Sequence, residues 1–350
     1  DSLYWQGLNK GKKSVALDLR QPEGRALAQR LAAAPGPDAG LFVTNFPPDG
    51  FLSHAALAAL RPDIVTLRVM GWADGTPAVD YTVNAAMGIP MMTGPAALGD
   101  APVNSVLPTW DLMAGAYGAF ALLAAHHARR ETGEGREIRL PLGDLAAATL
   151  GHLGQLAEVL LGGDRPRQGN DLFGAFGRDF LTADGRRLMI VAITGRQWRD
   201  LVTTLGLDDK VAAIEGALGT SFAEDEGERF RHRADLFPLF EAAIGARSEA
   251  ELATLFEGTG VCWAPYRTVH EAAVATDRFA IHADAMPAIS HQGGAAYPTP
   301  VAAASFPGED ASPPGEAPYI GADTEAVLGD VLGIGSSEIG RLRDTGIIAR

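Results

Sequence analysis

Short apolar runs along the first half of the chain predict strands and helices in regular alternation. Helices are predicted at 22–33 and 54–60 between strands. The predicted strands are 14–19, 40–44, 64–69 and 137–142. Strands and helices that alternate at this spacing predict an α/β protein with a parallel sheet covered by helices. The loops that begin at Asn45 and Gly71 follow the carboxyl ends of two strands, where such sheets bind ligands.

The pattern changes after a helix predicted at 144–161. Residues 164–171 form a polar linker, and 180–191 has the pattern of a hairpin with Asp184 and Gly185 at its turn. Several helices and a strand at 261–267 follow, so 172–280 is predicted to be a second, smaller α+β domain. Pro, Ala and Gly then dominate 281–318, which is predicted to be a second linker without regular elements.

Charge and composition restrict the classes of partner. The chain has 350 residues, of which 47% are hydrophobic and 21% are charged, as is usual for a globular protein. Its net charge of −14 argues against nucleic acids and anionic membranes as partners. No apolar run reaches the roughly 18–20 residues of a membrane-spanning helix. We therefore expect a protein that binds neither nucleic acid nor membrane.

Cysteine and histidine usage limits the chemistry further. Cys262 is the single cysteine, so it cannot form an internal disulfide, and a reducing, cytoplasmic location is expected. Its neighbours Val261 and Trp263 predict that it lies in a buried strand. The eight histidines show no metal-ligand spacing, so no metal site is predicted.

Candidate chemistry is concentrated at Asp111, which precedes fourteen residues without charge. Pro108 and Thr109 predict a helix start, so Asp111 lies in or beside the first turn. Free backbone N–H groups and the helix dipole favour a negative charge there. Two interpretations stay open from these residues alone. Asp111 is either an N-terminal cap on a buried helix or a carboxylate nucleophile for covalent catalysis.

Two further groups of charged residues have alternative interpretations. Asp80 precedes another predicted buried helix, so the two acids either share a pocket or cap their helices independently. Lys10, Lys12 and Lys13 form the densest positive cluster, which is either solvated or holds the phosphate groups of a ligand. The lysine run lacks the spacing of a P-loop, and the chain contains neither a Gly-x-Gly-x-x-Gly motif nor a Gly-x-Ser-x-Gly motif.

Several stretches together resemble family III CoA-transferases, a family that includes the α-methylacyl-CoA racemases. Among them are Thr-Asn-Phe-Pro-Pro at 44–48, Asp-Leu-Met-Ala-Gly at 111–115 and Thr-Gly-Glu-Gly at 132–135. The other matching stretches are 9–19, 22–24, 320–328 and 338–347. Each motif is modest alone, but their order and spacing fit along nearly the whole chain.

The resemblance implies an architecture and a class of substrate. It implies a large domain with a doubly wound parallel sheet, formed by 1–163 and 319–350 around the α+β domain. It also implies a homodimer of interlocked subunits. Coenzyme A is expected as part of an acyl-CoA substrate, without a permanently bound cofactor. The family's first strand and helix are expected to precede Asp1, so the CoA contacts predicted here are incomplete.

The resemblance also assigns roles to individual residues. Asp111 matches the catalytic aspartate, which forms an aspartyl-CoA thioester, and Asp80 matches an acid that assists the transferases. The predicted CoA contacts are Lys10, Lys12, Lys13, Asn45, Phe46 and Gly71. The segment 169–177 matches a mobile glycine-containing loop. The predicted substrate and oxyanion contacts are Gly169, Gly174, Gly177, Tyr81, Asn104 and Trp110, and core packing is an equally valid interpretation of the last three.

One position separates the activities within this family. The racemases have a histidine before the assisting acid, where this chain has Val79, and racemisation needs acid–base groups on both sides of the α-carbon. Segments 79–88 and 102–111 most resemble a subgroup that moves CoA from one carboxyl group of mesaconate to the other within one molecule. The alternatives are an intermolecular CoA-transferase between free carboxylic acids, an α-methylacyl-CoA racemase and a non-catalytic CoA binder.

Overall fold

The computed structural model describes residues 2–279, 286–291, 293–304, 306–308 and 313–348. These residues form two compact units, which are described separately below. The first unit contains the described residues of Asp1–Met87, Ser105–Leu161 and His282–Arg350. The second contains Gly88–Asn104 and the described residues of Gly162–Ile281.

The regular elements of the described residues are numbered in chain order. The helices are α1 (Leu3–Leu8), α2 (Pro22–Ala32), α3 (His54–Ala58), α4 (Asp80–Ala86), α5 (Ile89–Met92), α6 (Thr109–Thr132), α7 (Leu142–His152), α8 (Gln155–Gly162), α9 (Gly195–Leu205), α10 (Asp208–Leu218), α11 (Glu226–Arg231), α12 (Arg233–Gly245), α13 (Glu249–Leu255), α14 (Val269–Val274), α15 (Thr324–Leu332) and α16 (Ser336–Asp344). The strands are β1 (Leu41–Thr44), β2 (Val65–Met70), β3 (Arg136–Pro141), β4 (Phe176–Leu181), β5 (Arg187–Ala192), β6 (Cys262–Pro265), β7 (Ala288–Ser290) and β8 (Ala296–Pro298).

A parallel sheet organises the first unit. Its strand order is β1-β2-β3, with Leu41 opposite Val65 and Val65 opposite Arg136. The first four residues of β2 are buried, as expected for the central strand of a covered parallel sheet. Helix α6 packs against β2 and β3, with Gly118 next to Leu67 and Leu140. The predicted α/β class with a parallel sheet is confirmed.

The predicted strand at 14–19 is wrong. This segment makes one antiparallel bridge, between Leu17 and Ile348. Its other backbone groups pair with the C-terminal region, because Ser14 N donates to Asp323 Oδ2 at 2.8 Å and Ala16 N donates to Thr324 Oγ1 at 2.9 Å. Leu17 of this segment therefore packs against a small core with α2, α15 and α16, and the segment does not join a sheet.

An antiparallel sheet and an aromatic core form the second unit. The strand order is β4-β5-β6, and β4 and β5 form the predicted hairpin with Gly185 at a φ of 78° in its turn. The core contains Phe176, which packs 4.5 Å from Phe240 and 5.1 Å from Trp198 between ring centroids. The aromatic rings thus join the sheet to α9 and α12.

Glycines with left-handed backbone conformation break two predicted helices. The helix predicted at 144–161 is divided into α7 and α8 near Gly154, which has a φ of 73°. The helix predicted at 81–92 is divided into α4 and α5 at Gly88, which has a φ of 78°. Within the described residues no single helix is long and apolar enough to span a membrane, although the bent pair α7 and α8, with 71° between them, meets the length and composition criteria together.

Three local predictions also need correction. Polar residues in the segment 1–13 predict a loop, but helix α1 occupies part of that segment. The predicted linker 281–318 contains the hairpin β7-β8, while its residues 281–285, 292, 305 and 309–312 lie outside the described residues. Val261 and Trp263 are buried, but Cys262 between them is exposed, because successive side chains of a strand point to opposite faces.

Candidate active site

The carboxyl ends of the parallel strands open into a cavity of about 500 Å³ in the first unit. Asn45 follows β1, Gly71 follows β2 and Leu142 follows β3, and all three line it. Asp111 of α6 lines the same cavity. A cavity of this size suits a small-molecule site, and its position is the one expected for parallel α/β sheets.

A buried carboxylate from α4 caps the helix that carries Asp111. Asp80 Oδ2 accepts hydrogen bonds from the backbone N–H of Trp110 at 2.6 Å and from that of Asp111 at 3.2 Å. Asp80 is only 3% exposed, so this negative charge lies inside the unit at the positive end of the α6 dipole. Pro108, the residue before the helix, provides no side-chain cap. The interpretation of the two acids as independent caps of their own helices is therefore wrong, because Asp80 caps the helix of Asp111.

The Asp111 side chain itself is free to react. No group within the described part of the chain donates a hydrogen bond to its carboxylate, and the residue is exposed to the cavity. Partial burial raises the pKa of Asp111, and the nearby negative charge of Asp80 raises it further. Asp111 thus combines an accessible carboxylate with raised basicity, two properties that favour a nucleophile over a structural cap.

Arg68 is a cavity residue that the sequence analysis did not select. It lies in β2, is 2% exposed and pairs with Glu137 of β3 at 3.4 Å. It also donates to the carbonyl oxygen of Phe46, which anchors the loop after β1. The signal was present in the sequence, because Arg68 is a charged residue inside an otherwise apolar strand.

Close backbone packing shapes another wall of the cavity. A Cβ atom on Gly71 would lie 2.3 Å from the backbone nitrogen of Ala78. Only glycine therefore lets the end of β2 approach the segment 75–79, which lines the cavity. Gly71 also accepts a hydrogen bond from Gly143 N at 3.1 Å, which ties this position to the start of α7.

The structure brings together some of the predicted site residues of the first unit. Asn45, Phe46, Gly71 and Asp111 line one cavity, and Asp80 lies behind Asp111. The three predicted lysine contacts are not among the residues that line it. Lys10 Nζ donates to the carbonyl oxygen of Gly7, and Lys12 Nζ donates to Asn9 Oδ1 at 3.2 Å. Lys13 is exposed.

The other predicted contacts have different surroundings. Trp110 is 4% exposed in the core of the first unit, and Tyr81 is exposed outside the cavity lining. The remaining predicted contacts belong to the second unit: Asn104, Gly169, Gly174 and Gly177. Gly169 and Gly174 have φ angles of 63° and 81°, and Gly177 lies in β4, where a Cβ atom would be 3.1 Å from that of Leu172. Positive φ angles favour glycine at Gly169 and Gly174, and close packing favours it at Gly177.

Side chains that could bind a metal ion are not clustered in the described part of the chain. No three His, Cys, Asp or Glu side chains there lie close enough to hold one ion.

Comparison with known protein families gives a match over most of the chain. A family model described as CoA-transferase family III matches residues 1–324. A 2-methylfumaryl-CoA isomerase from Chloroflexus aurantiacus is 46% identical over 350 residues, which covers 99% of this chain and 85% of that protein. A human succinyl-CoA:glutarate CoA-transferase is 25% identical, with 99% of this chain and 78% of that protein covered.

Solved structures share the fold. A CAIB/BAIF family protein from Brucella suis superposes with a TM-score of 0.71 and 24% identity, and the match covers 95% of this chain and 84% of that one. A hypothetical protein from Mycobacterium tuberculosis superposes with a TM-score of 0.73 and 22% identity, covering 93% and 86% of the two chains. These similarities support the fold alone.

Proposed function

The chain belongs to CoA-transferase family III, and we propose that it isomerises 2-methylfumaryl-CoA by moving CoA from one carboxyl group to the other within one molecule. The observation that carries this proposal is the placement of Asp111. Its unbonded carboxylate lines the cavity at the carboxyl edge of the sheet together with three residues of the predicted CoA site. The 46% identity to the Chloroflexus isomerase over nearly the whole chain supports this substrate.

The first half of the proposed reaction transfers CoA to the enzyme. The Asp111 carboxylate attacks the thioester carbonyl, and the C–S bond breaks to give a mixed anhydride and the CoA thiolate. The thiolate then attacks the Asp111 carbonyl of the anhydride. This step forms an aspartyl-CoA thioester and detaches the acyl group from Asp111 as a dicarboxylate that stays bound in the site.

The second half returns CoA to the other end of the dicarboxylate. The second carboxylate attacks the aspartyl-CoA carbonyl, which gives a new mixed anhydride and the thiolate again. The thiolate attacks the substrate carbonyl of this anhydride and regenerates the Asp111 carboxylate. Atoms and charges balance without another reactant, because the dicarboxylate stays bound between the two halves.

Asp80 and Arg68 are assigned positioning roles in this proposal. Asp80 fixes the first turn of α6, so the Asp111 side chain starts from a defined backbone position. Arg68 fixes the carbonyl of Phe46 and so the loop after β1. A carboxylate is a weak nucleophile, and well-held geometry of this kind can contribute about 7–11 kcal/mol to the lowering of the barrier.

Three further parts of the proposal rest on the family. We propose that CoA enters and leaves only as part of its thioester, that the protein works as an interlocked homodimer, and that it acts in the cytoplasm. Sedimentation velocity at micromolar protein concentration tests the dimer, which is expected at about twice the 36.6 kDa of the chain.

The experiment that tests the function follows the product and the label together. The protein is incubated with one regioisomer of 2-methylfumaryl-CoA, also called mesaconyl-CoA, and with isotopically labelled free mesaconate. The thioesters are then separated by chromatography. The proposal predicts the other regioisomer without label. Label in the product identifies an intermolecular transferase instead, and inversion of a branched α-carbon in a separate substrate identifies a racemase.

A further inference from the structure

A second cavity, of about 770 Å³, lies entirely within the second unit. Four arginines and two aspartates line it, namely Arg167, Arg178, Arg187, Arg233, Asp171 and Asp179. The lining therefore carries two more positive than negative charges, in a chain whose net charge is −14. A concentration of arginine against the overall charge of the chain points to an anionic ligand.

The two aspartates hold three of these arginines in place. Asp179 is 8% exposed and accepts hydrogen bonds from Asn170 Nδ2 at 3.0 Å and from Arg187 Nη1. Asp171 pairs with Arg233 Nε at 3.2 Å and with Arg178 Nε at 3.8 Å. The carboxylates thus orient three of the guanidinium groups that line the cavity.

Much of the hydrogen-bonding capacity of these arginines is unused. The Nη2 atoms of Arg178, Arg187 and Arg233 make no hydrogen bond to any described residue. Arg167 donates to the carbonyl oxygens of Thr93 and Ala101 and has no carboxylate partner in the described ranges. Planar guanidinium groups with free N–H donors match the paired oxygens of carboxylates and phosphates.

We propose that this cavity binds a small dianion through carboxylate or phosphate oxygens. The excess of positive charge in the lining favours an anionic ligand, and Arg178 is in addition paired with Glu241 at 3.2 Å. The cavity volume admits a molecule of dicarboxylate size. Every residue that lines this cavity belongs to the second unit, and none of them lines the cavity that contains Asp111.

Calorimetric titration of the full chain at low salt tests the proposal. One arm uses succinate and a second arm uses inorganic phosphate, so the two arms separate the two kinds of oxygen. Saturable binding of either anion at one per chain is expected, with a dissociation constant below about 10 mM. Binding of neither anion overturns the proposal and leaves the isomerase proposal unaffected.

Two substitutions with opposite expected effects on anion affinity test whether the anion binds in this cavity. Arg233→Gln is expected to weaken binding about tenfold, since it removes one charged donor. Asp171→Asn is expected to tighten binding several-fold, because it removes a lining negative charge and keeps an oxygen acceptor. A merely structural role for these residues produces no gain in affinity. Arg196→Gln is the control, because Arg196 lies in the same unit, outside the cavity lining, and forms an exposed ion pair with Asp200 at 3.9 Å.

The proposal is judged from the anion affinities of the variants that remain folded. Thermal unfolding of each variant is measured first, so that a loss of binding in an unfolded protein is not counted. Unchanged affinity in both Arg233→Gln and Asp171→Asn contradicts the assignment to this cavity, even if the wild type binds an anion.

Discussion

The carboxylate of Asp80 accepts a hydrogen bond from the backbone N–H of Asp111 at 3.2 Å, so one acid holds the helix turn that carries the other. This contact joins residues 31 positions apart, and Asp80 also binds the N–H of Trp110. The arrangement fixes the backbone of Asp111 and leaves its side chain exposed in the cavity. It also places two like charges close together, which contributes to the raised pKa of Asp111.

Two replacements of Asp80 test its effects on stability and on kcat. Asp80→Ala leaves two N–H groups uncapped and is expected to lower the free energy of unfolding by about 1–2 kcal/mol and kcat at least tenfold. Asp80→Asn is expected to recover the stability and most of kcat, because its amide oxygen can accept the same hydrogen bonds. Urea unfolding and steady-state kinetics measure both quantities.

Asp225 offers a matched control for this prediction. Its side chain caps α11 in the second unit through the N–H groups of Gly227 and Glu228. Asp225→Ala is expected to cost a similar free energy of unfolding without changing kcat. If Asp80→Ala likewise loses only stability, Asp80 is a helix cap and has no positioning role in the reaction.

The raised pKa of Asp111 predicts a pH-dependent stability difference. Because the folded-state pKa lies above the ordinary value of 3.8 for an aspartate, the folded protein holds this proton more tightly than the unfolded chain. The stabilisation that this group contributes is fully present below pH 3.8 and is lost as the pH rises through the folded-state pKa. Asp111→Asn is therefore expected to melt at a higher temperature than wild type at pH 7, with a difference that vanishes below pH 3.8.

Asp74 is a control, because its pKa is shifted in the opposite direction from that of Asp111. Hydrogen bonds from the backbone and side chain of Thr76 lower the pKa of Asp74. Asp74→Asn is expected to lower the melting temperature at neutral pH, and this loss should shrink as the pH falls through the lowered pKa. Melting curves of both variants from pH 3 to pH 7 make the comparison, and a shift of equal sign in both would refute the assignment for Asp111.

Arg68 and Arg139 provide a direct comparison of a buried and an exposed ion pair. Both pair with Glu137, Arg68 at 3.4 Å with its side chain 3% exposed and Arg139 at 2.8 Å with its side chain 65% exposed. Arg68→Gln is expected to lower the free energy of unfolding by about 3 kcal/mol and to raise KM, because Phe46 loses its anchor. Arg139→Gln is expected to cost under about 1 kcal/mol and to leave KM unchanged. Equal KM values in the two variants would exclude a role for Arg68 in the site.

The close approach at Gly71 makes a steric prediction. Gly71→Ala places a methyl group 2.3 Å from Ala78 N, so the cavity wall must move and a loss of about 2–3 kcal/mol in stability with a higher KM is expected. Gly216→Ala in α10 is the control, because a Cβ atom there meets nothing within 4 Å. It is expected to stabilise the protein by about 0.5–1 kcal/mol. Denaturant unfolding and steady-state kinetics test both variants.

Elements set by local pattern could be predicted from the sequence. The strands at β1, β2 and β3, the hairpin turn at Gly185 and most helices of the second unit follow from periodicity and turn residues. The segment 14–19 was misassigned because its partners, such as Asp323 and Thr324, lie some 300 residues away. No local pattern distinguishes such a segment from a strand in a sheet.

The candidate site could be predicted only in part for the same reason. Asn45 and Gly71 follow strands, so their position at the carboxyl edge of the sheet could be expected. For Asp111 the sequence predicted only a place in or beside the first turn of its helix. The contact between Asp80 and the α6 N-terminus depends on how α4 packs against α6, which periodicity does not specify. The cavity in the second unit was missed because its four arginines are scattered between positions 167 and 233.

Trapping of the covalent intermediate tests whether Asp111 forms the aspartyl-CoA thioester. The protein is incubated with mesaconyl-CoA, treated with hydroxylamine and digested, and the peptides are analysed by mass spectrometry. Asp144→Asn is the control, because Asp144 is also an acid in the first turn of a helix of the same unit, α7. The account predicts a hydroxamate at Asp111 in the wild type and in Asp144→Asn, and none in Asp111→Asn. Turnover by wild-type protein with Asp111 left unmodified would contradict the aspartyl-CoA mechanism.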